Sequence, residues 1–358
     1  MASRPGDAAP AGEPIATDAV VIGAGPVGLF QVFELGLQDI RAHVVDAHAQ
    51  VGGQPALLYP DKPIYDIPGL PVCTGQGLTD ALLRQARPFE PQFHLGQTVT
   101  GLQRQVDGRL LLTTSAGVRL LSKTVFVAAG VGAFEPRRLK LEGLDRFEGT
   151  QLHHHLEDPL QMKGQAVVVI GDGDEAIDAT LSMSGEGPVR ARSVTLVHRR
   201  DSFKAHPDSV ARMRERCREG SMHFVAGQPV AVQTEGERLI GLELVLPDGD
   251  RRSLPLDQLL VLQGLSPRLG PVTEWGLDME RKLLRVDTQR YATNEPGIFA
   301  VGDINTYPGK RKLLVCGFHE CTLAAFAAVE IVHPERPVLL QYTTSSSHLH
   351  KILGVYAA

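Results

Sequence analysis

"DAVVIGAGPVGLF", residues 18–30, decides the fold. A run of small and β-branched residues enters Gly23-x-Gly25-x-x-Gly28 and continues into an apolar, helix-like stretch. Gly23 permits a tight turn, Gly25 lets the backbone approach a pyrophosphate, and Gly28 lets the helix pack closely on its strand. Pro26 lies inside the same motif and counts with the glycines as a binding residue. The β-rich run "RAHVVD" follows and ends on Asp46, at about the 20-residue spacing where an acid accepts hydrogen bonds from a ribose. Strand, turn, helix, strand and acid together predict a dinucleotide-binding βαβ unit.

A second such turn lies in "VVVIGDGDEAIDA", residues 167–179, as Gly171-x-Gly173-x-x-Ala176. It carries the acids Asp172, Asp174, Glu175 and Asp178, where backbone N–H groups and a helix N-terminus should attract negative charge. The strand that follows, "SVTLV", ends not on an acid but on His198, Arg199 and Arg200. Arginine grips a 2'-phosphate bidentately, whereas an acid would repel it. Residues 190–218 hold nine Lys or Arg against three Asp or Glu; the later arginines read as a solvated helix face. Further on, "TNEPGIFAVGDINTYPGK" gives a short strand, then Gly302-Asp303, then a helix-like stretch from Leu314.

The chain has 358 residues, 43% of them hydrophobic and 22% charged, which predicts a globular protein of two domains. A net charge of -5 excludes a generally basic nucleic-acid binder. No uninterrupted apolar run approaches the roughly 20 residues of a membrane span, and the N-terminus lacks the pattern of a signal peptide. The expectation is a cytoplasmic protein with no membrane partner. Residues 1–17, rich in Ala, Pro and Gly, read as a disordered leader. Cys73, Cys217, Cys316 and Cys321 form no C-x-x-C pair and no zinc spacing. His153, His154 and His155 are adjacent and do not share a face, so no metal site is expected.

"IGAGPVGLF", "GGQPALLYPDKPIYDIPGLP", "GDGDEAIDATL", "VTLVHRRDSFKA", "IFAVGD" and the terminal "QYTTSSSHLHKILGV" together resemble the thioredoxin-reductase-like (type 2) ferredoxin–NADP reductases, from about Asp18 onward. Thioredoxin reductase carries a C-x-x-C pair just before its second fingerprint; "QLHHHLEDPLQMKGQAVVVIG" has none, and a dithiol reductase cannot work without thiols. The resemblance implies an α/β fold of two Rossmann-like domains, each a three-layer ββα sandwich, the second inserted in the first. It places an FAD domain at 18–132 and 271–358 and an NADP domain at 133–270. It implies FAD and NADP(H) as cofactors, ferredoxin or flavodoxin as partner, and a homodimer.

The same resemblance assigns residues. Asp46 would meet the adenosine ribose, Gly53 and Gln54 would lie beside the flavin, and Tyr59 would stack on it. Val99 would meet the adenine through its backbone, and Phe134 would approach the flavin. Asp303 would bind near the ribityl chain, while Tyr342 and Thr344 would contribute from the C-terminal tail. Gly171, Gly173, Asp174, His198, Arg199 and Arg200 would hold NADP. Three departures from the family pattern stand out: Asp172 for glycine, Glu175 for Ser or Thr, and Lys204 for arginine. Asp172 and Glu175 lead to the expectation of a functional but weakened NADPH site. The competing readings are a flavoenzyme serving flavodoxin or a quinone, and an FAD redox sensor with a decayed NADP site. Residues 137–140 and 310–312 are candidate basic patches for an acidic carrier, or simply solvated loops.

Overall fold

The apolar run ahead of the first glycine turn forms β1 (Ile15–Ile22), with Ala19, Val20 and Val21 fully buried. The structure, a computed structural model, describes residues 13–156, 158–185, 189–336 and 342–354. Ile15, Ala16 and Thr17 pair with Leu120, Leu121 and Ser122, so β1 takes in the end of the expected leader; residues 1–12 lie outside the described residues. The chain divides into two units. One holds the described residues up to Ala133 and again from Pro267, the other spans Phe134–Ser266.

In the first unit β1 leads through the glycine turn into α1 (Pro26–Leu37), then β2 (Ala42–Val45) and α2 (Gly53–Leu58). A short hairpin, β3 (Pro63–Ile64) and β4 (Cys73–Thr74), precedes α3 (Gly75–Ala86), whose Thr74 cap accepts from Gly77 N. β5 (Gln92–His94), β6 (Val99–Arg104), β7 (Leu110–Thr114) and β8 (Arg119–Val127) follow. β8 joins parallel and antiparallel pairing within one seven-stranded sheet. Its first half pairs antiparallel with β7 and its last residues pair parallel with a strand that returns from the far end of the chain.

β9 (Ala133–Pro136) leads into the second unit. There β10 (Leu152–His153), β11 (Ala166–Ile170), α4 (Asp174–Ser184), β12 (Ser193–His198), α5 (Pro207–Arg218) and β13 (His223–Ala226) follow in order. A meander of β14 (Gln228–Glu235), β15 (Arg238–Val245) and β16 (Arg251–Pro255) precedes β17 (Gln258–Val261). β18 (Leu265–Arg268) leads back to β19 (Met279–Glu280), β20 (Leu283–Arg285), β21 (Ile298–Ala300) and β22 (Asn305–Thr306). The long α6 (Leu314–Val332) and the short α7 (Ser347–Ile352) complete the described chain.

The two units repeat one plan. In the first, the parallel strands run β5-β2-β1-β8-β21, and in the second β13-β12-β11-β17-β10. Each glycine turn follows the middle strand of its sheet. One core packs α1 and α6 against the first sheet, and another fills the opposite face beneath the β6–β7 meander. The second unit repeats this with α4 and α5 on one face and β14–β16 on the other. Covered on both sides, β11 is buried at every residue, whereas the meander strand β15 alternates. This is the three-layer arrangement expected from sequence.

α6 is long and apolar enough to cross a membrane by length and composition, with mean hydropathy 1.5. It is instead packed as a core helix: Ala324, Ala325 and Ala328 are fully buried in the cluster that includes α1 and β1 residues.

Candidate dinucleotide sites

The first turn is built to need its glycines. Gly23 has φ +112°, and a methyl group on it would stand 2.4 Å from Ala128 O. One on Gly28 would stand 1.8 Å from Gly23 O, so α1 could not lie where it does. Gly25 differs: the nearest atom to such a methyl, Gly53 Cα, is 3.8 Å away. That gap is where a ligand's phosphates would approach. Gly25 is also the N-cap of α1 and has no side-chain cap, which leaves the first amides free for an anion.

Asp46 is 8% exposed. Its Oδ2 accepts from Ala24 N at 2.6 Å, and its Oδ1 from His48 N at 2.8 Å. The carboxylate thus braces the glycine turn and keeps lone pairs for ribose hydroxyls. Asp46 O accepts from Gln97 N at 2.9 Å, which brings the loop before Val99 to the same edge; Val99 itself is buried at the start of β6. Gly52 N donates to Ala24 O at 2.8 Å, so Gly53 is held against Gly25. From α2, Gln54 Nε2 reaches the chain after β8, 3.7 Å from where a methyl on Gly130 would sit. Burial, and then the nearby Asp303 carboxylate, push the Tyr59 phenol above its ordinary range. Turn, Asp46, Gln54, Tyr59 and Asp303 are therefore gathered in one unit, and the residues fit FAD.

A part of this site went unread in the sequence. Glu320 of α6 is fully buried, and its carboxylate accepts from Gly302 N (2.6 Å), Asn305 Nδ2 (2.8 Å), Tyr307 O–H (2.9 Å) and Lys310 Nζ. Lys310 also donates to Gly302 O at 2.9 Å. These bonds fix the Gly302–Asp303 turn. Of the candidate patch at 310–312, Lys310 is withdrawn, since its side chain is 7% exposed and its charge is met by Glu320, while Arg311 and Lys312 are exposed. Glu320, one of two acids in the largely apolar "LVCGFHECTLAAFAAVEIV" and the one nearer its middle, was the available signal, because a buried carboxylate demands a partner. In the other candidate patch, Arg138 is held by Glu148 at 2.9 Å.

In the second turn a methyl on Gly171 would stand 2.3 Å from Leu262 O, while one on Gly173 would meet nothing within 4 Å. Gly173 caps α4 without a side-chain bond. The cradle is thus repeated, with Ala176 fully buried at the third position. Each of the four acids has a partner. Asp172 Oδ2 lies 2.9 Å from Lys204 Nζ, and Asp174 Oδ1 accepts from His206 N at 2.6 Å. Glu175 faces His155 at 3.4 Å, and Asp178 accepts from Ser209 Oγ at 3.4 Å. His198 closes β12, and Arg199 and Arg200 follow it, exposed. Among the described residues neither arginine is in an ion pair, unlike Arg192 and Arg214 nearby, which pair with Asp257 and Asp201.

Some expected residues are not gathered. Phe134 lies in β9, but its side chain is outside the described residues. Tyr342 is 66% exposed, and Thr344 is exposed in the same turn before α7. α7 is pinned by His348 Nε2 to Asp39 Oδ1 at 2.6 Å, just past the C-terminal end of α1 and so away from its glycine turn. The three histidines diverge: His153 meets Gln258 Oε1 at 2.9 Å, His154 is held down in pKa by burial, and His155 faces Glu175.

Two glycine cradles, each beyond the carboxyl end of a central parallel strand, define a protein of the two-dinucleotide-fold oxidoreductase class. Residues 17–321 match the pyridine nucleotide-disulphide oxidoreductases, and the chain belongs to that family. It is 57% identical over 343 residues to a protein of Albidiferax ferrireducens named ferredoxin–NADP reductase, covering 96% of this chain and 97% of that one. To ferredoxin–NADP reductase 2 of Cupriavidus metallidurans it is 54% identical over 346 residues, covering 97% and 93%. Among solved structures, thioredoxin reductase of Lactococcus lactis shares the fold with a TM-score of 0.58 at 22% identity, covering 88% of this chain and 99% of that one.

Proposed function

We propose that the chain is an FAD-dependent ferredoxin–NADP reductase, moving electrons between NADPH and ferredoxin. The observation that carries this reading is the opposite polarity of two like cradles. One ends its second strand on a braced carboxylate, Asp46, suited to ribose hydroxyls. The other ends on His198 and two arginines that, among the described residues, make no ion pair, suited to a 2'-phosphate.

Bound FAD supplies the exchange between hydride and single-electron chemistry. The chain's own residues orient and shield it. Asp46 receives the ribose, the free amides of α1 face the diphosphate, and Asp303 holds the far end of the chain in a turn fixed by Glu320. Tyr59 offers its ring to the flavin, and Arg199 and Arg200 take the 2'-phosphate of NADPH. The same reading places the protein in the cytoplasm as a homodimer, with flavodoxin as the alternative acceptor.

Anaerobic titration of the yellow protein with NADPH tests this directly. NADPH should bleach the flavin band, and NADH should do so far less efficiently. Arg199→Ala or Arg200→Ala should lower that preference by roughly one to two decades, from the loss of a charge-assisted contact of about 1.5 to 3 kcal/mol. A flavin that stays oxidised under NADPH overturns the reading. Reduction of flavodoxin but not ferredoxin in steady-state assays would reassign the acceptor alone.

A further inference from the structure

The departures at Asp172 and Lys204 meet each other. Asp172 Oδ2 lies 2.9 Å from Lys204 Nζ and 3.7 Å from His198 Nε2. The backbones are joined too, Lys204 N donating to Asp172 O at 2.7 Å. His198 Nδ1 stands 2.9 Å from Arg200 O and must be the donor, because a carbonyl only accepts. The Asp172 and His198 side chains are 19% and 13% exposed, whereas that of Lys204 is 78% exposed. One sheltered carboxylate in the glycine turn therefore holds an exposed ammonium from the loop after β12, with the His198 ring beside it.

We propose that Asp172 is a positioning residue for recognition of the 2'-phosphate: it fixes Lys204 so that NADPH is preferred over NADH. This rests on the reading that the second unit takes NADPH. A long, exposed lysine loses much rotational freedom when it orders around a ligand, and a lysine already held by a carboxylate loses less. Two effects oppose each other here. The carboxylate repels an incoming phosphate, but the ammonium 2.9 Å away offsets most of that charge. The placement it confers falls on Lys204, whose backbone is already held at the same turn by the 2.7 Å bond to Asp172 O. Placement therefore outweighs repulsion, contrary to the weakening expected from sequence.

The test uses the full-length, FAD-loaded protein and two probes, 2',5'-ADP and 5'-AMP, with calorimetric affinities. The unmodified chain should prefer 2',5'-ADP. Asp172→Asn and Asp172→Gly should each lower affinity for 2',5'-ADP by about 3- to 30-fold, and affinity for 5'-AMP by less than about twofold. Asp172→Glu should recover part of the loss. Lys204→Ala should show a similar loss, and the Asp172→Asn/Lys204→Ala double variant no more than about the larger single loss, since both act through one contact. Tighter binding of 2',5'-ADP by Asp172→Gly overturns the proposal, as do equal losses for both probes or losses that multiply. If the preference persists in Asp172→Asn, the proposal falls alone. If the unmodified chain shows no preference for 2',5'-ADP, the NADPH reading falls with it.

Discussion

Glu320 shows how much a single residue can organise. One carboxylate with no solvent access satisfies Gly302 N, Asn305, Tyr307 and Lys310, and so fixes the turn that carries Asp303. Burial, with help from Glu320, pushes the Tyr307 phenol above its ordinary range, so it stays a donor. Removing one member of a buried pair leaves the other charge uncompensated. Lys310→Met is therefore expected to cost about 3 to 5 kcal/mol and to weaken FAD retention, while Lys310→Met with Glu320→Gln recovers much of the stability. Denaturant titration of the three proteins measures this. A loss below about 1 kcal/mol for Lys310→Met, in the range of an exposed pair, would show that the network is not what holds the turn.

Packing of α1 on α6 sets the next scale. Gly28 brings α1 onto its strand, and α6 lies beside it through a seam with a polar component. Gln31 Nε2 donates to Cys321 O at 3.3 Å, and Cys321 Sγ lies 3.3 Å from Val27 O. Glu34 is 8% exposed in the same helix. Burial raises its carboxyl from 4.5 to about 7, against a smaller opposing effect from the Thr322 hydroxyl. The folded state then binds more protons than the unfolded state between those two values. Stability from this group is full below pH 4.5 and is lost as pH rises through about 7. Glu34→Gln should remove that slope and stabilise the protein at pH 8 by on the order of 2 to 3 kcal/mol. Melting temperatures of both proteins from pH 5 to 8 check it: a difference that stays constant with pH would mean that Glu34 does not titrate in this window.

At the scale of the molecule, one plan is used twice with different ends. A middle strand, a glycine turn and an uncapped helix recur in both units; the residues closing the next strand differ, Asp46 in one and His198-Arg199-Arg200 in the other. The surface carries a second message. Leu57, Leu58, Tyr65 and Val72 are 46%, 42%, 71% and 56% exposed within residues 57–72 of the first unit, and Tyr342 is exposed in the tail. Large apolar side chains concentrated in this way suit a second copy better than water. Light scattering at micromolar concentration is expected to give twice the chain mass of 38.7 kDa. A mass of one chain would refute the homodimer.

The layered α/β plan was legible through family resemblance; the sequence by itself determined both cradles and the strand-end residues Asp46 and His198-Arg199-Arg200. These depend on contacts within about thirty residues of chain, where turn sterics and strand periodicity leave few alternatives. What closes each site was decided only by tertiary structure. Lys310 reads as a surface charge until α6 brings Glu320 to it, and Asp172 reads as repulsive until the loop after β12 brings Lys204 to it. A charge's effect depends on its solvent exposure and its nearest opposite charge. Neither can be read along the chain when the partners come from separate elements.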